Sequence, residues 1–421
     1  MHMRPRPSQG PILEPGLTPR ACAEALRQRL APQRWPVAPS ELPSDAVLVG
    51  GAVRDAALGR LAERPDLDLV VSGGAIPLGH RLARRHGGTC VVLDAGRDIA
   101  RLVLPGWTVD LARREGADLA ADLRRRDYTV NAIALPLASG AAVVDPTGGL
   151  GHLRRRELVA VSEANLLDDP LRLLRGVRLA AELEFSLGEP GLGWIRRHGN
   201  RLAQVAGERV LAELERLATA PQGHRGLQQA WDLGLVAAAA ACPAPGLETG
   251  QLSPTWAEGQ GLTQEEWAGA LPIARLAWLL PAAAGARLKG SRRLQQRCTH
   301  LRRWWQTLAH TPLTSLPEAE RLELQEQLRD DLPALLLSQP PPTARAALAR
   351  WRDPADPLFH PRSPLDGGQL QRALGLSPGP ELGELLTHLK REQAFGRIPR
   401  HDAEAALAAA RHWLAPRQPV A

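Results

Sequence analysis

The chain has 421 residues, 44% of them apolar, which is too long for one ordinary compact core and long enough for two to four domains. Aromatic residues make up only 4%, while Ala, Leu and Arg dominate, so helices are favoured over an aromatic-rich sandwich. A net charge of +7 and a pI near 10.1 suit a polyanionic partner, and the scattered Cys22, Cys90, Cys242 and Cys298 exclude a CxxC zinc clasp and a dense disulfide framework.

Residues 1 to 44 hold a Pro-rich lead, a helical pattern around Ala21 to Leu30 and a second Pro-rich connector. Met1 to Pro11 has arginines but no apolar signal-peptide run, and the apolar stretches around Leu233 to Leu247 and Leu271 to Ala286 are short or interrupted by Pro and Arg. A soluble, cytoplasmic chain is expected. From Asp45 onward β-rich and helical runs alternate: Val47 to Val49, then Val53 to Leu58; Leu67 to Val71, then Leu78 to Arg85; then strands over Cys90 to Leu93, Ile99 to Leu104 and Trp107 to Leu111. This predicts a mixed α/β domain with a small sheet. After a strand at Val159 to Val161 the remainder reads as helices, with Gln339 to Thr343 and Asp353 to Pro357 as linkers before a last helical unit.

Gly50 and Gly51 follow an apolar strand and precede a helix opening with Val53, Arg54 and Asp55. Free amides at a helix start, with a guanidinium beside them, make a phosphate cradle; the plainer alternative is a tight turn that needs small residues. Neither Lys289 nor Lys390 is followed by Ser or Thr, so this is not a P-loop. Asp66 and Asp68, at i and i+2 of a strand, project from one face while Leu67 and Leu69 project from the other. Such a pair either lies on a solvated edge or binds cations, and the upstream cradle favours Mg²⁺ in polymerase-type phosphoryl transfer, one ion activating a 3′-hydroxyl and one holding the triphosphate. Asp110, in the run Trp107 to Leu111, is the candidate third carboxylate.

Downstream, Asp122 to Ala132 runs from a basic cluster into an apolar helix, in which Arg126 is expected to reach the nucleotide and Asp127 to orient it. Asp168, Asp169, Arg172, Arg175 and Arg178 are predicted on one helix, with the arginines forming a basic stripe and Asp169 beside Arg172. That pair has the donors and acceptors to imitate a Watson–Crick partner for cytosine or adenine; a helix-surface ion pair is the alternative.

Taken together these residues resemble the class II tRNA nucleotidyltransferase and bacterial poly(A) polymerase family of the polymerase β-like superfamily. Leu48 to Asp55 followed by Asp66-Leu67-Asp68 resembles the first motif, which implies triphosphate contact by Gly51 and Arg54 and metal ligation by Asp66 and Asp68. Arg125 to Ala132 resembles RRDFTINA with Tyr128 and Val130 as departures, and Asp145 to Gly149 resembles the hinge motif, with His152 where relatives tend to have Asp. Asp168 to Arg175 resembles the EDxxRxxR amino-acid template, Arg178 extends it, and Glu208-Arg209-Val210 resembles the neck motif ERI. Pro364 to Pro380 resembles the tRNA-gripping tail, whereas His401-Asp402 stands alone and reads as surface rather than as part of an HD phosphohydrolase.

The resemblance implies an N-terminal extension (1–44), an α/β nucleotidyltransferase head (45–160) and an all-α remainder. The latter divides into a neck bearing the nucleotide-selecting helix (161–220), a body (221–352) and a tRNA-binding tail (353–421). It implies CMP transfer from CTP, and possibly AMP from ATP, to the 3′ end of tRNA with Mg²⁺, with no membrane and no obligate protein partner. Between Arg114-Glu115 and Asp122 only Gly116 to Ala121 intervene, where full CCA-adding members have a longer flexible loop. The expectation is therefore a CC-adding enzyme, against a full CCA-adding enzyme, a poly(A) polymerase, or a non-catalytic RNA-binding protein that would leave Asp66 and Asp68 unexplained.

Overall fold

The computed structural model describes residues 16–415; the lead Met1 to Pro11 lies outside them. Contacts divide the chain into two units, one ending at Val205 and the other starting at Ala206.

The first unit opens with α1 (Pro19–Leu30), whose start is set by the Thr18 hydroxyl accepting from the Ala21 amide and by proline at the first helical position. Then come β1 (Val47–Val49), α2 (Gly51–Leu58), β2 (Leu67–Val71), α3 (Ala75–His86), β3 (Thr89–Asp94), β4 (Ile99–Leu104), β5 (Trp107–Arg113), α4 (Leu119–Arg124) and β6 (Ala134–Pro136). The six strands form one mixed sheet in the order β3-β4-β5-β2-β1-β6. β2 runs parallel to β5 and antiparallel to β1, so Asp68 lies opposite both Asp110 and Val49. Leu67, Leu69, Val109 and Leu111 alternate with the two aspartates and are buried, which keeps both carboxylates on the other face.

β6 was not expected, and the apolar helix running into Ala132 does not form. Tyr128 is extended, the Thr129 amide donates to the Val159 carbonyl and the Val161 amide to the Asp127 carbonyl; only Thr129–Asn131 makes a single 3₁₀ turn. Pairing with the 159–161 segment suits the β-branched Thr129 and Val130 and takes the place of the expected helix. The unit continues through α5 (Gly149–Arg155), β7 (Glu157–Leu158), α6 (Glu163–Asp168), α7 (Leu171–Leu183), β8 (Ser186–Leu187) and α8 (Gly191–His198). The strand expected at Val159 to Val161 is displaced: β7 pairs in parallel with β8, and Ala160 makes only an isolated bridge to Tyr128.

The second unit is helical throughout: α9 (Gly207–Thr219), α10 (Gly223–Asp232), α11 (Pro254–Gly259), α12 (Gln264–Leu279), α13 (Ala282–Arg287), α14 (Arg292–Leu308), α15 (Glu318–Leu328), α16 (Leu332–Leu336), α17 (Pro341–Trp351), α18 (Gly367–Leu374), α19 (Pro380–Ala394) and α20 (Ala403–Leu414). The Pro-rich run at Gln339 to Thr343 is not simply a linker: Pro340 precedes α17, and Pro341 and Pro342 occupy its first turn, where a missing N–H costs nothing. Asp353 to Pro357 is likewise tied down, because Asp356 accepts from the Leu358 and Phe359 amides and pairs with Arg350.

α18, α19 and α20 share their own apolar cluster, including Leu370, Leu385, Leu389, Ala406 and Leu414. Asp366 and Gln369 cap α18 reciprocally, so the acidic residue of the tail-like motif starts a helix. Asp402 caps α20 and His401 is exposed beside it, as a surface reading of that dipeptide requires. Among the described residues no helix is long and apolar enough to cross a membrane.

Candidate active site

At the end of β1 the backbone of Gly50 turns through φ +75°, a left-sided conformation that leads directly into α2. A side chain there would place its Cβ 2.8 Å from Asp68 Oδ2, so the absence of one lets the turn lie against that carboxylate. Gly51 starts α2, and Arg54 lies one turn on. Its guanidinium forks onto Asp55 at 2.8 and 3.0 Å and donates to Asn131 Oδ1 at 2.7 Å, and Asn131 in turn reaches Asp127 Oδ1 at 3.3 Å.

Asp68 lies within β2 and Asp66 sits exposed just before it, so the two are neighbours at the strand's entrance rather than both inside it. Burial first, then Asp110 and Asp66, push the Asp68 carboxyl up to about 6, against the opposing pull of Arg126 and Arg175. A largely buried carboxylate with two further carboxylates beside it offers the hard oxygen donors a divalent cation fits. Asp110 is placed opposite Asp68 but is held by Arg101, which forks onto both its oxygens at 2.7 and 2.8 Å. Among the described residues no group of three or more His, Cys, Asp or Glu side chains is assembled as a metal cage.

Two buried carboxylates hold two arginines near Asp68. Asp127 pairs with Arg175 at 2.8 Å, a partner the sequence reading did not name. Burial alone would raise the Asp127 pKa, but Arg175, the Tyr128 amide and the Asn131 side chain together hold it below the ordinary carboxylate value. Arg126 is held instead by Asp122, at 3.3 Å. Asn165, also buried, donates to the Arg124 and Arg126 carbonyls at 2.7 and 2.8 Å and so fixes the backbone from which Arg126 extends. Sequence reasoning missed the roles of Asp122, Asn165 and Arg101. The one available signal was Asp122 at four residues before Arg126, a helical pairing distance.

The expected single helix from Asp168 to Arg178 is broken. α6 ends at Asp168, Asp169 is extended (φ −139°, ψ 101°), and α7 starts at Leu171; Asp169 Oδ1 accepts from the Leu171 amide at 3.2 Å. The proline between them explains the break, since its ring disfavours helical conformation in the residue before it. Arg172 still lies beside Asp169, with Nη1 donating to the Asn165 carbonyl at 2.7 Å. Arg175 is half-exposed, but Arg178 is only 1% exposed and pairs with Glu182, so the basic stripe does not extend that far and Arg178 is part of the core. Tyr128 is buried and donates its hydroxyl to the Arg172 carbonyl at 2.9 Å. His152 bonds Thr129 Oγ1 at 2.9 Å, and Asp145 caps α5 through the Gly149 and Leu150 amides, so this motif packs on the turn that follows Asp127.

Residues 46–159 match the poly A polymerase head domain, and residues 184–240 match a probable RNA- and SrmB-binding site of polymerase A. A CC-adding tRNA nucleotidyltransferase of Synechocystis is 36% identical over 85% of this chain and 91% of its own length. An A-adding tRNA nucleotidyltransferase of Deinococcus radiodurans is 37% identical over 55% of this chain and 50% of its own. The Thermotoga maritima CCA-adding enzyme, solved in complex with tRNA, shares the fold with a TM-score of 0.68 at 20% identity, over 94% of this chain and 98% of that one. A relative this similar along nearly its whole length, on a head whose Asp68 faces a glycine turn, makes the chain a member of the class II tRNA nucleotidyltransferase and bacterial poly(A) polymerase family.

Proposed function

We propose that this enzyme transfers CMP from CTP to the 3′ end of tRNA, adds two cytidines and stops. The 3′-hydroxyl gives up its proton to solvent as its oxygen attacks the α-phosphorus of CTP; the new P–O bond forms, the bond from the α-phosphorus to the bridging oxygen breaks, and pyrophosphate leaves. Asp66 and Asp68 would hold Mg²⁺, which when bound neutralises triphosphate charge and lowers the pKa of the attacking hydroxyl. The Gly50–Gly51 turn and the start of α2 offer backbone amides to the triphosphate, with Arg54 beside them. Arg126 and Arg175, each braced by a buried carboxylate, supply positive charge next to Asp68. Asp169 accepts from the exocyclic amine of cytosine and Arg172 donates to its ring nitrogen and carbonyl. Uracil would leave the carboxylate facing a carbonyl, at a cost of about 1–3 kcal/mol for each unpaired buried group. In this scheme Asp110 keeps Arg101 and lends negative charge to the site, and the partition into head (45–160), neck (161–220), body (221–352) and tail (353–421) is retained.

The observation that carries the two-cytidine reading is the closed segment between β5 and α4. The Glu115 amide donates to Asp122 Oδ1 at 2.9 Å, Asp118 caps α4 through the Ala121 amide at 2.7 Å, and the Glu115 carboxylate pairs with Arg125. A segment so short and so tied offers no lever to re-aim Asp169 and Arg172 from cytosine to adenine. The test is to incubate tRNA lacking its terminus with CTP and ATP together and sequence the products. Ends in CC support the restriction; ends in CCA refute it.

A further inference from the structure

We propose that Asp122 is a positioning residue that couples the 114–121 segment to Arg126, so that closure of that segment sets the aim of Arg126 and with it the preference for CTP over ATP. This rests on the site being the nucleotide pocket described above. Asp122 is 9% exposed, and each of its two oxygens has a separate task. Oδ1 accepts from the Glu115 amide at 2.9 Å, on the segment; Oδ2 accepts from Arg126 Nη2 at 3.3 Å, on the site. One rigid carboxylate plane therefore relates the two. Glu115 adds a second tie from the same segment, through its own carboxylate to Arg125, the residue before Arg126, with Arg97 at 3.9 Å on its other side.

Arg126 depends on this hold. Its main chain is pinned by Asn165, but beyond Cβ its long side chain has many rotamers, and Asp122 is what selects among them. Its Nε is buried without a hydrogen-bond partner among the described residues, so the protein alone does not satisfy the guanidinium. A ligand oxygen arriving beside Asp68 would complete it. If the segment opened, the Glu115 amide would leave Oδ1, the carboxylate would be free to turn about its Cβ–Cγ bond, and Arg126 would lose its fixed direction. Asp127 does the corresponding work for Arg175 but makes no bond to the segment, and this sets Asp122 apart.

The test compares wild type with Asp122→Asn and Asp122→Glu, measuring kcat and KM for CTP and for ATP separately on tRNA lacking its terminus. Thermal unfolding is followed in parallel. Asp122→Asn keeps an acceptor for the Glu115 amide and removes the charge that holds Arg126. It is expected to raise KM for CTP about tenfold with a smaller change in kcat, and to lower the CTP-to-ATP ratio of kcat/KM. Asp122→Glu restores the charge and should recover part of both. Should Asp122→Asn unfold the protein, Glu115→Gln serves instead: it weakens the segment's pairing with Arg125, leaves the Asp122–Arg126 bond intact, and should shift the CTP-to-ATP ratio in the same direction. An unchanged ratio, or a loss of thermal stability alone, overturns the proposal. Failure of the broader reading looks different: wild type would then lack CTP transfer or would complete CCA unaided.

Discussion

Folding drives the Asp68 carboxyl from an ordinary value of 3.8 up to about 6, because it is buried and because Asp110 and Asp66 lie beside it. Between those two values the folded protein binds a proton that the unfolded chain does not, so this group favours folding at low pH and disfavours it as pH rises through about 6. Asp68→Asn removes the penalty. In metal-free buffer the variant should melt above wild type at pH 7.5, with the difference shrinking as pH falls towards 4; a pH-independent difference would contradict the assignment. The same variant should lose on the order of a hundredfold or more in CMP transfer, since it surrenders charge where a divalent ion is proposed to bind. The Gly50 turn and the place of Asp68 on a strand were legible in the sequence because their signals are local: small residues after a strand, and alternation along one; Asp66 falls just outside that strand. Arg101 was not legible, because meeting Asp110 depends on the register of a hairpin, and Asn165 was not, because its partners come from far along the chain. Arg101 meets Asp110 across an antiparallel register, and Asn165 meets Arg124 and Arg126 across 41 and 39 residues.

Among the elements, β1 to β5 and the helices between them follow the sequence pattern closely, since each is marked by a short apolar run or by apolar residues at the period of its own structure. The misreadings fall where tertiary pairing competes with that pattern. The 128–132 run, read as helix, is rich in residues that favour extended backbone (Tyr128, Thr129, Val130) and is paired by the 159–161 backbone, and α7 starts only after Pro170 interrupts a run of otherwise helical residues. α7 is also held close to the Tyr128 ring: a Cβ on Gly176 would sit 1.9 Å from the Tyr128 hydroxyl, and that hydroxyl bonds the Arg172 carbonyl one turn earlier. Gly176→Ala should therefore destabilise the protein by about 1–3 kcal/mol although alanine is the better helix former. Denaturant unfolding reads this directly, and a neutral or stabilising result would show that Tyr128 moves aside without cost.

For the whole molecule, a net charge of +7 carried almost wholly by arginine suits recognition of RNA through its phosphates and shape, as a protein acting on every tRNA would need. The affinity for tRNA should fall at least about tenfold between 50 and 200 mM salt, measured by filter binding, and a salt-independent affinity would argue against phosphate contacts as its main source. The helical character of the second unit was legible from composition, whereas the partners of its buried arginines were not. Arg275, for example, binds main-chain carbonyls at Leu252, Ala218 and Ala220. Asp66 and Asp68 are proposed to hold a divalent ion against the triphosphate of CTP. The most direct measurement is anomalous diffraction from crystals soaked with CTP and Mn²⁺. The expected result is a manganese peak at those two carboxylates, with the triphosphate by the Gly50–Arg54 turn; a peak or a triphosphate bound elsewhere would contradict it.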